Sequence, residues 1–270
     1  MLGCLQKMKT QLAEPVQYRL PVGQDELDLN ALLGKRLELH HSGQIFCVHC
    51  AQKTKKSFNQ GYCYPCFIKL AQCDMCIMKP ETCHYAAGTC REPDWGLEFC
   101  FQPHVVYLAN SSGIKVGITR QTQIPTRWID QGAVQALPVF RVPSRHVSGL
   151  LEVTLAKHVS DKTSWQQMLK NNVHPLDLIG LRDELLAKCV DELGEIAERF
   201  GLEALNVVQD EPLDIHYPVL RYPAKVKSFN LDKDPQVQGV LEGIKGQYLL
   251  LDTGVINMRK FAGYEVEVRT

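Results

Sequence analysis

Nine cysteines packed into residues 47–100 constrain this chain more than any other feature. They are Cys47, Cys50, Cys63, Cys66, Cys73, Cys76, Cys83, Cys90 and Cys100, with Cys4 and Cys189 as the two outliers. Two thiolates two residues apart chelate one ion from a tight turn. A second such turn, twelve residues further on, completes a tetrahedron. Cys47, Cys50, Cys63 and Cys66 therefore read as one Cys4 zinc site of the ribbon type.

The remaining cysteines suggest a second Cys4 zinc site from Cys73, Cys76, Cys83 and Cys90, with Cys100 or His84 as alternatives for its fourth ligand. An iron–sulfur cluster uses the same thiolates, and spacing alone does not separate the two. The close-packed ferredoxin run is missing, which favours zinc. Both ions read as structural, since ligand binding and folding are coupled in such modules. Cysteines kept as metal ligands suit a reducing compartment. Met1 to Thr10 shows no basic region followed by an apolar one, and no apolar run approaches the length of a bilayer span. A cytoplasmic protein without a membrane partner is the expectation.

An apolar fraction of 45% over 270 residues supplies a buried core. The net charge is zero, which neither points to nor excludes a polyanionic partner, because binding surfaces are local. From Tyr107 to Trp165 there are seven basic and three acidic side chains; from Gln166 to Pro212 there are four and ten. The acidic stretch reads as a solvated helix face. Between the first two cysteine pairs lie Lys53, Lys55 and Lys56, then Phe58 and Tyr62. Cations interleaved with aromatics suit phosphate contact and base stacking. A solvated turn on a protein-binding ribbon has the same composition.

Apolar alternation marks short strands at Val16 to Leu20 and Leu37 to His40. After Cys100 the order is strand (His104 to Ala109), turn, strand (Ile114 to Thr119), helix opened by Pro125, strand (Pro138 to Val142), then a helix from Gly149 with Ser148 as its N-cap. Thr163 with Gln166 forms a capping box for one more helix. Leu186, Cys189, Val190, Leu193, Ile196, Ala197 and Phe200 follow the spacing of a packing helix over Arg182 to Phe200, stopped by Gly201, with Cys189 as a core thiol. Alternating runs at Val237 to Ile244, Gln247 to Leu251 and Val255 to Met258 suggest a small barrel or meander. Its cations Lys225, Lys227, Lys245, Arg259 and Lys260 read as surface, available to a polyanion or simply solvated.

The residues after 104 resemble the GIY-YIG nuclease superfamily. The first strand ends in a tyrosine (Val105-Val106-Tyr107) and the second carries a tripeptide ending in glycine (Lys115-Val116-Gly117). An arginine on the next helix matches Arg127, and a glutamate on the helix after the third strand matches Glu152. The resemblance implies that Tyr107 activates water or holds phosphate, that Arg127 binds a phosphate oxygen, and that Glu152 ligates magnesium. Lys115 stands where the family has its second tyrosine, and the interval from Gly117 to Arg127 is longer than the pattern's. A lysine holds phosphate without serving as a phenol does. Ordinary alternatives are a half-buried strand tyrosine, an Arg127–Asp130 pair and an exposed Glu152. The whole chain also resembles a bacterial family of unassigned activity through CYPCF, GTCREP, KVGITR, PTRWIDQGA and KGQYL.

The expected architecture is α+β. It comprises an N-terminal β segment (residues 1–46), a double zinc module (47–103), a GIY-YIG-like ββαβα core (104–172), a helical segment (173–212) and a small C-terminal β-domain (213–270). The cysteine module reads as separate from the Tyr107, Arg127 and Glu152 set. The function expected is that of a zinc-binding, nucleic-acid-associated protein whose core hydrolyses phosphodiesters with magnesium. The alternatives are a non-catalytic nucleic-acid binder and a zinc-stabilised protein-interaction scaffold.

Overall fold

Alternation of buried and exposed residues along Arg36–Phe46 makes this strand the centre of the largest sheet: Leu37 and Leu39 are fully buried between exposed or half-buried neighbours. A computed structural model describes residues 1–159 and 163–270. In it, Arg36–Phe46 pairs antiparallel with Gln236–Lys245 on one side and Tyr264–Arg269 on the other. Tyr248–Leu251 and Gly254–Asn257 continue the sheet beyond Gln236–Lys245, and Leu2–Cys4 closes the opposite edge. A three-stranded sheet of Lys9–Gln11, Gln17–Val22 and Asp25–Asp28 lies nearby.

The protein is α+β, with N-terminal strands, a cysteine cluster, helices in the middle and C-terminal strands. The N- and C-terminal β segments are not separate throughout: Leu2–Cys4 and Arg36–Phe46 share one sheet with the C-terminal strands, while Lys9–Gln11, Gln17–Val22 and Asp25–Asp28 form their own. Pairs such as Leu39 with Val237 and with Val268 span some 200 residues, and local periodicity carries no trace of them.

The middle of the chain forms a second antiparallel sheet. Its strand His104–Asn110 lies between Ile114–Arg120 and Gln135–Val142. All seven residues of His104–Asn110 are buried, and they alternate between two cores. Val106 and Leu108 pack with Phe140, Leu151, Leu155 and Cys189. Val105, Tyr107 and Ala109 pack with Trp128, Ile129 and Ala133 and join the core of the large sheet. The short helix Thr126–Asp130 thus covers one face and the helix Arg145–Ala156 the other.

Two helix expectations change. Ser144, not Ser148, caps the helix Arg145–Ala156, accepting from the Val147 amide at 3.3 Å. Ser148 is buried inside the helix and donates to the Arg145 carbonyl at 2.7 Å. The helix expected over Arg182 to Phe200 is two, Leu178–Lys188 and Val190–Phe200, broken at Cys189 (φ −104°, ψ 13°). Cys189 is indeed buried in the apolar core. No helix among the described residues is long and apolar enough to cross a membrane.

Candidate metal centres and active site

The first cysteine set is built by two turns. The strand Arg36–Phe46 delivers Cys47, and Ala51 then takes a left-handed conformation (φ 58°) that lets its amide donate to the Cys47 carbonyl at 2.9 Å. The second turn bends through Asn59, Gln60 and Gly61, all at positive φ, and Cys63 then leads into the helix Tyr64–Lys69 with proline in its first turn. A side chain at Gly61 would stand 2.5 Å from Val48 and 3.1 Å from the Ala262 carbonyl, so the turn closes directly on the C-terminal segment.

The four sulfurs of Cys47, Cys50, Cys63 and Cys66 lie within 4.8 Å of one another, with Cys50 and Cys63 at 3.8 Å. Burial opposes ionisation of Cys47, but hydrogen bonds from the backbone of Cys50, Cys63 and His49 bring it down to about 6. Burial and the neighbouring thiols push Cys66 far the other way. Four sulfurs this close do not all ionise unless a cation stands among them. A tetrahedral, thiophilic dication removes the conflict, so the donor set fits zinc.

The second set is arranged differently from the expectation. Cys76, Cys83, Cys90 and Cys100 line one cavity of about 20 Å³. Cys73 does not line it. Cys73 ends the turn Ala71–Cys73, and Asp74 is extended (φ −68°, ψ 155°) before the helix Met75–Met78, so Cys73 and Cys76 diverge. The Cys73 thiol is raised by burial, with Asn59 and Arg91 lowering it and Cys47 of the first set raising it. The Cys76 thiol is pushed up to about 11 by burial and then by its neighbours, among them Cys83, Cys100 and Cys90. His84 also lines the cavity, and Asp74, Cys76 and His84 have ligand atoms within 4.8 Å of one another. Asp74 is engaged by Arg91, whose Nε lies 2.7 Å from its carboxylate.

The Tyr107 site sits on the middle sheet. Tyr107 is fully buried opposite Gly117, and a methyl group built on that glycine would stand 2.8 Å from the phenol oxygen. The tyrosine ring therefore occupies the space that the missing side chain leaves. Its hydroxyl lies 2.9 Å from the Gln131 amide oxygen. Turning that amide sets its nitrogen 2.9 Å from the hydroxyl and its oxygen 3.2 Å from both Nε and Nη2 of Arg127. Burial raises the Tyr107 phenol; Arg127 lowers it and Glu152 raises it. Burial also raises Glu152, while Arg145, Arg127 and Lys115 pull it down and Glu81 pushes it up. Gln131 thus lies between Tyr107 and Arg127, and Glu152 feels the charges of Arg145, Arg127 and Lys115. The alternative Arg127–Asp130 pair does not form: Asp130 is held by Lys7 and by Gln247 Nε2 at 2.8 Å.

Three residues at this locus carry no signal in the sequence. Gln131 is one link between Tyr107 and Arg127. Glu81 comes from the cysteine module. Arg145 opens the helix that carries Glu152, donates to the Ile77 carbonyl at 2.5 Å and feels both Cys100 and Glu152. Its buried Nε has no partner among the described residues. The expected separation of cysteine module and Glu152 set therefore does not hold for the second half of that module. A side chain at Gly149 would stand 2.5 Å from Pro80 and 2.7 Å from the Glu81 amide, so the module docks tightly on the Glu152 helix.

Fold and donor set define an α+β protein with a four-cysteine cluster whose geometry could hold a metal ion. A family model described as "Protein of unknown function (DUF2797)" matches residues 34–266, and the chain belongs to that family. No curated protein and no solved structure matches the chain.

Proposed function

We propose that this protein is a zinc-stabilised nucleic-acid-binding protein whose middle sheet carries a divergent GIY-YIG-like centre for phosphodiester hydrolysis. What supports the reading is that Gln131 lies between Tyr107 and Arg127 and that Glu152, on the helix across the sheet, feels the charges of Arg127 and Lys115. Hydrolysing a phosphodiester requires cations beside the phosphate and groups that orient water. Arg127 presents a planar fork suited to two phosphate oxygens. Lys115 adds a second positive charge, and Arg145 a third. Gln131, which bonds the Tyr107 hydroxyl and, with its amide turned, accepts from Arg127, fixes the hydroxyl that would orient phosphate or water.

Glu152, with Glu81 beside it, offers carboxylate oxygens of the kind magnesium takes. Such an ion would supply charge stabilisation of the phosphate oxygens. Zinc is structural in this reading: one ion on Cys47, Cys50, Cys63 and Cys66, and a second among Cys76, Cys83, Cys90 and Cys100. Thiolate sites of this type belong in a reducing bacterial cytoplasm.

Burial of Tyr107 and the lysine at position 115 favour a second reading, in which the same cations hold a nucleic acid without cutting it. One experiment separates the two. Zinc-loaded protein is incubated with magnesium and mixed DNA and RNA substrates. Cleavage lost in Arg127→Ala and Glu152→Gln supports hydrolysis. Binding without cleavage supports the second reading, and neither binding nor cleavage sinks both.

A further inference from the structure

Two basic clusters almost 200 residues apart meet on one face. Lys55 and Lys56, from the segment between the two cysteine turns, line a cavity of about 490 Å³ together with Lys260, from the turn Met258–Phe261. All three lysines are exposed. Gln60 lines the same cavity and ties the two parts together, its amide oxygen accepting from Arg259 Nε at 2.6 Å. Arg259 belongs to a turn tied to the Arg127 helix: the Met258 amide donates to the Gln247 carbonyl at 2.9 Å, and Gln247 Nε2 donates to Asp130 Oδ1 at 2.8 Å. The Arg259 guanidinium is held below its ordinary value by burial and then by the charge of Arg127. A cationic line thus runs from Lys55 and Lys56 through Lys260 and Arg259 to Arg127.

Among the described residues, its cations are not taken up in direct ion pairs: Lys55, Lys56, Arg259 and Lys260 form none with a carboxylate, whereas Lys9, Arg36, Arg91, Arg221 and Arg269 each do. Asp232 is the one acidic side chain lining the cavity, and it accepts from the Tyr264 hydroxyl at 2.9 Å. At the ribbon end, Lys56 lies over the Phe58 ring, and Phe58 packs against Tyr64, which is 55% exposed. Like cations held together without counter-charge repel one another, and a polyanion relieves that. Exposed aromatic rings beside them stack bases, which are available for stacking in a single strand and not in a duplex.

We propose that this line is a track for a single-stranded polynucleotide, with its backbone on Lys55, Lys56, Lys260 and Arg259, a base on Tyr64, and its path ending at Arg127. The proposal rests on the reading of the Arg127 locus as a nucleic-acid site and adds the substrate's form and route. It implies that the metal ribbon is a substrate-gripping element and that the C-terminal sheet supplies half of the grip.

The test is fluorescence anisotropy with a labelled single-stranded oligonucleotide, on zinc-loaded full-length protein carrying Glu152→Gln so that cleavage cannot intervene. Lys55→Glu/Lys56→Glu/Lys260→Glu should bind about tenfold or more weakly, and should lower the slope of log affinity against log salt by about 2, as expected for three lost phosphate contacts on a single strand. Lys55→Gln/Lys56→Gln/Lys260→Gln, which adds no repulsion, should reproduce the change in slope. Tyr64→Ala should weaken binding at unchanged slope. Triple variants that bind within about twofold of the parent, with zinc content intact, would overturn the track. A duplex of the same sequence bound as tightly as the single strand would overturn its single-stranded occupant. Failure of the hydrolase reading looks different: the triple variants would lose affinity while the unsubstituted protein cuts nothing.

Discussion

Tyr107 and Gly117 face each other across two paired strands, and the tyrosine ring fills the space where a side chain at Gly117 would stand. Their contact gives the tyrosine and the glycine a steric reason to occur together. Gly117→Ala should force the ring away from a methyl group 2.8 Å from its oxygen. Overpacking of this kind costs about 1–3 kcal/mol, to be read as a lower urea midpoint at unchanged slope. An unchanged midpoint would mean that the ring is free to move.

Chelation should act locally. With Cys47, Cys50, Cys63 and Cys66 all within 4.8 Å, removing the ion leaves thiols that compete for charge and a turn with little else to hold it. Hydrogen exchange should accelerate over residues 47–66 first, while His104–Asn110, buried along its whole length, stays protected. Uniform acceleration would show that this metal is not what folds the ribbon.

The cavity lined by four further cysteines gives a prediction that distinguishes neighbouring thiols. Cys100 lines it with Cys76, Cys83 and Cys90, whereas Cys73 does not. Metal analysis should find about two zinc ions per chain, about one in Cys100→Ser and about two in Cys73→Ser. The reverse pattern would restore Cys73 as the ligand.

Acid should destabilise the protein through His104. Burial, with the charges of Arg145 and Arg120, lowers this imidazole to about 4, and its Nε2 has no partner among the described residues. The folded value lies below the unfolded one of 6.5, so the unfolded chain takes up the proton first. Stability is therefore full above 6.5 and is lost as pH falls toward 4, by roughly 3 kcal/mol. His104→Asn should flatten the dependence of the urea midpoint on pH in that window. An equally steep profile in the variant would assign the loss to other groups.

How much of this was legible in the sequence depends on the range of each interaction. Cys47, Cys50, Cys63 and Cys66 are a set fixed by spacing, because each pair acts within one turn. The strands around Tyr107 and Gly117 were legible for the same reason, through period-two alternation and a turn. Cys73 was misplaced because an extended Asp74 separates the turn that ends at Cys73 from the helix that carries Cys76, two cysteines whose spacing suggests one ion. Lys245, grouped with surface cations, is fully buried, its Nζ 2.7 Å from Asn171 Oδ1 and over the rings of Tyr217 and Tyr222. The β-domain also hid its partner strand, Arg36–Phe46, about 200 residues earlier. Arg145 and Glu81 reach the locus through the docking of Pro80 on Gly149, which leaves no pattern in either segment.

The central claim is that Tyr107, Arg127 and Glu152 form a working phosphodiesterase centre. It is tested most directly by single-turnover cleavage of a labelled single strand in magnesium, comparing unsubstituted protein with Tyr107→Phe, Arg127→Ala and Glu152→Gln at matched zinc content. Losing a group that stabilises the transition state typically lowers such a rate by about 10²–10³. The account predicts losses of that order for Arg127→Ala and Glu152→Gln and a smaller one for Tyr107→Phe. Equal rates in all four proteins, or no cleavage in any, would contradict it.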